Sequence, residues 1–573
     1  MIKPCKSCQQ NFDITDNDLK FYEKVSPVFE GKKYLIPSPT LCPECRQQRR
    51  LSFRNERNLY KRKCDLCKKD IISIYSLDNK YIVYCPDCWW SDKWDALEYG
   101  KNYDFNKSFF EQYEKLTNGV PKLSIQNTKS ENSEYTNYSE RNKNCYMLFG
   151  SSECEDCYYG NRIFKSENIV DCFDVYNSQL SYECLECINL YNCCFCKNSQ
   201  NLYNSIYCYD CITCSNCSYC INLKNKKFNI LNEQYTEKKY LEIISNFSKQ
   251  KKIIEKFKKL QISVPHKSNI NIKSENIFGD QLFNCKKCFN SYSLKYSEQC
   301  SYSYMGINNK YCYDSDFFDN SELQYESLNL EQNYNVNFAN LAWYSHNCYY
   351  ISFCFNSNNL FGCVGLNHKQ HCILNKQYTK KEYEKLVPRI IEKMQIPQPP
   401  LSRGQSVSPL DKGDLGDCEW GEFFSSSLSP FGYNGTVAQE YFPLTKEEAL
   451  SKGFNWSDYE PEFPKVEKII PADLLPDAIN QIPDDILNWA IQCEVTGKPF
   501  KIIKPELDFY RKMNLPIPRR HPDQRHKDRM ALRNPRKLWS RNCVKCNVEI
   551  QTTYSPDRSE IVCCEKCYLA TVY

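Results

Sequence analysis

The sequence predicts a multidomain, mainly β protein in which duplicated small cysteine-knuckle modules at both ends flank two tandem β-solenoid-like repeats, each closed by a helix. Three observations predict this class. The 573 residues exceed what one hydrophobic core usually spans. The two ends of the chain are copies of each other, and so are the two halves of its centre. Within the centre, small side chains recur at every third position, a step that fits neither the period of a strand nor that of a helix.

The terminal copies align without gaps over two stretches. "CPECRQQRRLSFRNERNLYKRKCDLC", from Cys42, matches "HPDQRHKDRMALRNPRKLWSRNCVKC", from His521, at an offset of 479. "CKSCQQNFDITDNDLKFYEK", from Cys5, matches "CEVTGKPFKIIKPELDFYRK", from Cys493, at an offset of 488, so a nine-residue loop around Ser26 to Tyr34 belongs to the first copy alone. The central copies align at an offset of 143, "NSQLSYECLECINLYN" with "NSELQYESLNLEQNYN" and "ILNEQYTEKKY" with "ILNKQYTKKEY". Each ends in a helix-like segment, and Thr379 with Glu382 has capping-box spacing. The expected organisation is a double cysteine-knuckle module at 1–99, solenoid repeats at 130–260 and 274–396, and a Pro-containing linker at 397–412. An aromatic-rich connector follows at 413–487, then the second module at 488–573. The connector should carry a short helix capped by Thr445 and Glu448 and ended by Gly453, and should pack between solenoid and C-terminal module.

From Cys145 to Leu223 every third residue is Cys, Ser, Leu, Ile, Val or Gly, and only Cys194 among the cysteines of that span lies off this register. In the second copy Cys184, Cys187, Cys193, Cys196, Cys208, Cys214 and Cys217 become Ser327, Leu330, Val336, Ala339, Ile351, Ser357 and Leu360. A metal ligand cannot become leucine and keep its metal, whereas a buried small side chain can be exchanged for another of similar volume. These cysteines therefore read as interior packing. A finer recurrence at 15 (Cys157, Cys172, Cys187, Leu202, Cys217) predicts coils of about 15 residues. The overlapping C-x-x-C spacing of "CYDCITCSNCSYC" keeps a metal-storage reading open for the first copy.

The terminal spacings are more specific. Cys64 and Cys67, then 17 residues, then Cys85 and Cys88 frame two β-prone runs, and Cys543, Cys546, Cys564 and Cys567 do the same. Two knuckles at the ends of a hairpin supply the tetrahedral thiolate set of a structural zinc with no open position. Cys563 reads as a neighbour, since its counterpart is Tyr84. A third site is expected from Cys5, Cys8, Cys42 and Cys45, with Pro43 in the first turn of a helix. In the second copy of that site Cys493 survives, but Thr496, His521 and Gln524 replace the rest, so it should be empty, giving about three Zn2+ per chain.

The knuckle, the Phe, the acidic residue before Phe-Tyr and the C-P-x-C-R of the first 50 residues resemble the probable zinc-ribbon family, treble-clef-like, which implies zinc binding alone. The whole chain is similar to cysteine-rich bacterial proteins with a zinc ribbon at each end. Some of these carry the label CaiB/BaiF-type CoA transferase, an enzyme class with a large α/β core and a nucleophilic Asp that cannot be matched here.

Composition narrows the function. Thirty-seven cysteines stand against six histidines and a net charge of +5. No apolar leader region and no apolar run near 18 residues is seen, so a cytoplasmic, non-membrane protein is expected. No G-x-x-x-x-G-K, H-E-x-x-H or G-x-S-x-G is present, so no enzyme is expected. Cationic residues cluster between the cysteine pairs of both modules, Arg46, Arg49, Arg50, Arg54, Arg57, Lys61, Arg62 and Lys63 with the aromatic Tyr60 among them, and again Arg525, Arg529, Arg533, Arg536, Lys537 and Arg541 with the aromatic Trp539. Guanidinium groups beside aromatics suit phosphate contact and base stacking, which predicts nucleic-acid binding with RNA favoured. A solvated helix face, or arginines tied to local carboxylates, is the plainer reading. The alternative function is a protein-interaction scaffold presenting outward tyrosines such as Tyr158, Tyr159, Tyr182, Tyr191, Tyr203, Tyr207 and Tyr209.

Overall fold

The computed structural model describes residues 1–247, 251–397, 418–460 and 465–572. Beyond Pro397, the expected linker lies outside the described residues, as do the first five residues of the connector. The chain forms two compact units, Met1–Ser124 with Ile270–Tyr459, and Ile125–Asn269 with Glu460–Tyr573. Each unit joins one terminal module to one solenoid, in crossed order: the N-terminal module belongs with the second repeat and the C-terminal module with the first.

The backbone rule of both solenoids is a triplet. From Tyr138 to Leu231, and again from Gln281 to Leu374, every third residue has positive φ, for example Asn189 at 56° and Asn201 at 54°. Two extended residues followed by one left-handed residue turn the chain by a corner, and four such sides close a coil. Strands therefore pair in parallel at a step of twelve, Ile188 with Gln200 and Gln200 with Ile212, shortened to eleven where Phe278 pairs with Phe289 at the start of the second repeat. In the second repeat, which lies in the first unit, Tyr334 pairs with His346 at the same step of twelve. The coil is thus 12 residues, not the expected 15. Both lengths are multiples of three, so the inward register alone cannot distinguish them.

Asparagine and aspartate tolerate the left-handed region better than other non-glycine residues, which explains why Asn so often precedes the inward residue. Their side chains also form ladders along the axis. Asn189 Nδ2 donates to Asn201 Oδ1 at 2.8 Å, and Asn192 Nδ2 to Asn204 Oδ1 at 2.8 Å.

The inward cysteines fill the lumen, as expected, and also close its hydrogen bonds. Cys187 Sγ donates to the carbonyls of Leu185 at 3.2 Å and Cys196 at 3.5 Å, two residues back and nine residues on. Ser303 Oγ reaches the equivalent carbonyls, of Ser301 at 2.9 Å and Cys312 at 3.0 Å. Cys and Ser are therefore interchangeable both in size and in donor capacity. The Val, Leu and Ala that replace them in the second repeat keep only the packing. Burial pushes the Cys187 and Cys300 thiols well above their ordinary value, so neither is a ready thiolate. Cys194, the off-register residue, faces outward and packs with the core of the C-terminal module.

Both repeats close with a short antiparallel pair and then a helix, Glu237–Phe247 in the first and Lys380–Met394 in the second. Thr379 and Glu382 form the expected capping box. The connector helix Lys446–Ser451 has its Thr445–Glu448 box, and Gly453 follows at φ 77°. The connector's neighbour differs from expectation. Trp420, Phe423 and Phe424 pack into the core shared by the N-terminal module and the second repeat, with Phe53 and Phe423 ring centroids 5.5 Å apart.

Candidate metal centres

Four knuckles fold alike because one turn is written four times. Cys5, Cys64, Cys493 and Cys543 each close a tight turn, donating through the backbone N–H and accepting at the carbonyl. Lys68 N donates to Cys64 O, and Cys64 N to Lys69 O, at 2.9 and 2.8 Å. The fourth residue after each of these cysteines has positive φ: Gln9, Lys68, Gly497 and Asn547. The turn presents the first thiol inward and the second, three residues on, beside it. The other pair of each set opens a helix. Cys42 is the N-cap of Pro43–Leu51, with Pro43 in the first turn as expected. Cys85 is the N-cap of Pro86–Trp89, and Cys564 immediately precedes Glu565–Val572. Unpaired N–H groups at a helix start favour thiolate over thiol.

Among the described residues three clusters can hold a metal ion: Cys5, Cys8, Cys42 and Cys45; Cys64, Cys67, Cys85 and Cys88; Cys543, Cys546, Cys564 and Cys567. In each, all four sulfurs lie within 4.8 Å of one another. Sγ–Sγ distances of 3.7 Å (Cys8–Cys42), 3.8 Å (Cys67–Cys85) and 3.7 Å (Cys546–Cys564) recur. A tetrahedral ion with metal–sulfur bonds of about 2.3 Å requires edges of about 3.8 Å, so the donor sets fit. Burial raises the Cys64 thiol, but the backbone N–H groups of Cys67, Cys85 and Leu66 overcome it and bring it down to about 7. Burial likewise opposes, and the N–H groups of Cys546, Cys564 and Lys545 prevail, at Cys543, which falls to about 6. No cluster of central cysteines meets the same criterion among the described residues.

The degenerate site keeps its knuckle without its donors. Cys493 N still donates to Lys498 O at 3.0 Å, but His521 is spent as a helix N-cap, its Nδ1 accepting from Asp523 N at 3.2 Å. Beside this knuckle lies a part-exposed ion bridge, formed by residues that stand outside any cysteine spacing. Arg520 Nε donates to Glu494 at 2.7 Å, beside the knuckle, and its Nη1 to Asp528 at 2.7 Å, in the helix Pro522–Ala531.

The arginine clusters are interior, which corrects their reading as a phosphate-contacting surface. Arg46 donates through Nε and Nη2 to both oxygens of Asp314 at 2.9 and 2.8 Å. Arg50 reaches Asp316 at 2.9 Å and Glu326 at 3.0 Å, and Arg49 reaches Glu422 at 3.1 Å and Glu326 at 3.4 Å. The second unit repeats the arrangement at equivalent positions. Arg525 pairs with Asp171 and Glu506, and Arg529 with Asp171 at 2.9 Å and Glu183 at 3.2 Å. Asp171 and Glu183 are the 143-residue counterparts of Asp314 and Glu326. Tyrosines join the same duplicated contact: Tyr302 donates to Asp18 at 3.2 Å, and Tyr159 to Glu506 at 3.1 Å. Tyr22 lies 5.2 Å from Tyr325, and Tyr510 lies 5.7 Å from Tyr182.

The remaining arginines are also engaged. Arg54 pairs with Glu56 at 2.6 Å, and Arg533 with Glu186 at 2.8 Å. Arg57 is buried. Arg62 donates to Tyr81 O at 3.2 Å, and its counterpart Arg541 to Glu560 O at 3.4 Å. Arg536, Tyr60 and Trp539 are half-buried, Tyr60 edge-on to Tyr459 at 5.1 Å. Lys537, Lys61 and Lys63 are exposed. Of the tyrosines expected outside, Tyr158, Tyr159 and Tyr182 are buried, and Tyr209 bonds Tyr554 across 3.0 Å. Tyr207 stacks between Phe195 and Tyr219. Only Tyr191 and Tyr203 of that set stay exposed, stacked at 5.0 Å.

No family model matches this chain, and no curated protein matches it, so the likeness to zinc ribbons rests on the three thiol clusters and their knuckles. Among the described residues no helix is long and apolar enough to cross a membrane.

Proposed function

We propose that this protein is a zinc-bearing, non-enzymatic interaction scaffold whose terminal modules are architectural and whose solenoid sides meet a protein partner. Zinc is the ion that suits an all-thiolate tetrahedron with no open position. The observation that carries the reading is the duplicated pairing of module arginines with solenoid carboxylates. Those charges hold each module on its solenoid, and they are not free for phosphate. What stays open is the side of the coil that bears Tyr191 and Tyr203 between two asparagine ladders, and in the second repeat Tyr334 beside the Asn335–Asn347 ladder. Exposed aromatics among adaptable amides are the composition of a protein-binding patch. Nucleic-acid binding, the function expected from the arginines, keeps only the exposed lysines such as Lys61 and Lys537 in its support.

The test is photo-crosslinking in cells. A crosslinking residue at position 191 or 203 should yield protein adducts, and one at 61 or 537 should yield few adducts of any kind. RNA adducts dominated by positions 61 and 537 would overturn the scaffold reading in favour of nucleic acid.

A further inference from the structure

The two modules tie their first knuckle to their arginine helix by different means. In the first unit Cys5 and Cys8 sit in the turn between strands Ile2–Pro4 and Asn11–Asp13, which lead into helix Asp16–Val25. That helix brings Asp18, Phe21 and Tyr22 to the solenoid, Phe21 stacking on Tyr313 at 3.8 Å. Cys42 and Cys45 open helix Pro43–Leu51, which brings Arg46, Arg49 and Arg50 to the same solenoid. The four-thiol centre is therefore the tie between the two docking helices. In the second unit the tie is Arg520, bridging Glu494 and Asp528. The first unit has Lys6, Leu41 and Arg49 at those three positions, so no such bridge can form there.

We infer that the centre of Cys5, Cys8, Cys42 and Cys45 is a metal-dependent latch on the docking of the N-terminal module to the second repeat, whereas the C-terminal module docks on the first repeat without one. The inference rests on the zinc reading above. A helix of nine residues is marginal by itself and depends on its anchors. The arginine–carboxylate network it carries tolerates little displacement, because Asp314, Asp316 and Glu326 are buried and are reached by aimed guanidinium donors. Freeing the Cys42 end releases the helix from one anchor and puts the other under strain, so that Arg46, Arg49 and Arg50 and the acidic column of Asp314, Asp316 and Glu326 reach water together. Cys8 is exposed, which gives a chelator or a competing thiol access to the ion. The second centre of each module is of the same kind in both, so it cannot produce the difference between the units.

The test is hydrogen exchange on the full chain with a metal count on the same sample, comparing wild type with C8S/C45S and with R520A. For C8S/C45S the expected result is one metal fewer, with exchange faster by roughly tenfold or more in residues 43–51 and 314–326 and unchanged in 522–531. For R520A the expected result is an unchanged metal count and faster exchange in 522–531 alone. One metal fewer with unchanged exchange in 43–51 would overturn the latch and leave the zinc reading standing. An unchanged count in C8S/C45S would overturn the zinc reading of that centre and the latch with it. Graded chelation of the wild-type protein gives the same comparison without a substitution: residues 43–51 should lose protection as the first metal leaves, and loss only together with global unfolding would overturn the latch.

Discussion

Replacing Arg50 with alanine is the sharpest perturbation of the docking contact. Its side chain is 0 % exposed, and its donors lie 2.9 Å from Asp316, 3.0 Å from Glu326 and 3.3 Å from Asp314. In wild type, Arg46, Arg49 and Arg50 face Asp314, Asp316 and Glu326, with Glu422 as a fourth carboxylate at Arg49. Alanine leaves the set one positive charge short, and Asp316 keeps only the Gln47 amide at 3.0 Å. Orphaning a buried carboxylate costs about 3–5 kcal/mol, far above the ~0–1 kcal/mol of a surface pair. At about 2–4 °C per kcal/mol for a large domain, the first unit should melt roughly 6–20 °C lower. Urea unfolding followed by hydrogen exchange in residues 43–51 and 314–326 reads the change unit by unit. The deficit should shrink in mild acid, because burial already raises the Asp314 carboxyl and the loss of Arg50, which opposes that rise, lifts it further. Arg529→Ala should do the same to the second unit, and Lys61→Ala should do nothing measurable. A loss below about 1 kcal/mol for Arg50→Ala would refute the interior placement of the cluster.

Burial, opposed by Arg529, lifts the Glu183 carboxyl to about 7. Its folded value lies above its ordinary 4.5, so the second unit should lose stability as pH rises from about 4.5 through 7, and Glu183→Gln should flatten that slope in pH-dependent denaturant melts. At a coil corner, Asn201 has φ 54°, so Asn201→Val should cost about 1–2 kcal/mol while Asn201→Gly stays within about 0.5 kcal/mol. A valine tolerated there without cost would mean that the corner is not left-handed.

The thiol clusters were legible because a metal site fixes residue type and spacing together, and Cys64, Cys67, Cys85 and Cys88 allow few other arrangements. The inward register was legible for a similar reason, since a narrow lumen admits only small side chains. The coil length was not, because steps of 12 and 15 both keep every third residue inward. The signal lay instead in the asparagines, whose recurrence at 177, 189 and 201 follows the step of twelve. The fate of the arginines was hidden because their partners lie in another part of the chain. One trace was present: Asp171 with Asp314, and Glu183 with Glu326, are acids kept in both repeats, just as Arg46 and Arg50 recur as Arg525 and Arg529. Two sets of opposite charge duplicated in separate segments point to contact between those segments. Clustered charge alone could not tell a surface from a buried network.

Native mass spectrometry of protein purified without chelator tests most directly whether the terminal thiols hold metal while the central ones fill the lumen. Three zinc ions per chain are expected, falling to two in Cys64→Ser and remaining three in Cys196→Ser, whose hydroxyl can make the same carbonyl bonds. More than three ions, or one lost on replacing Cys196, would contradict it.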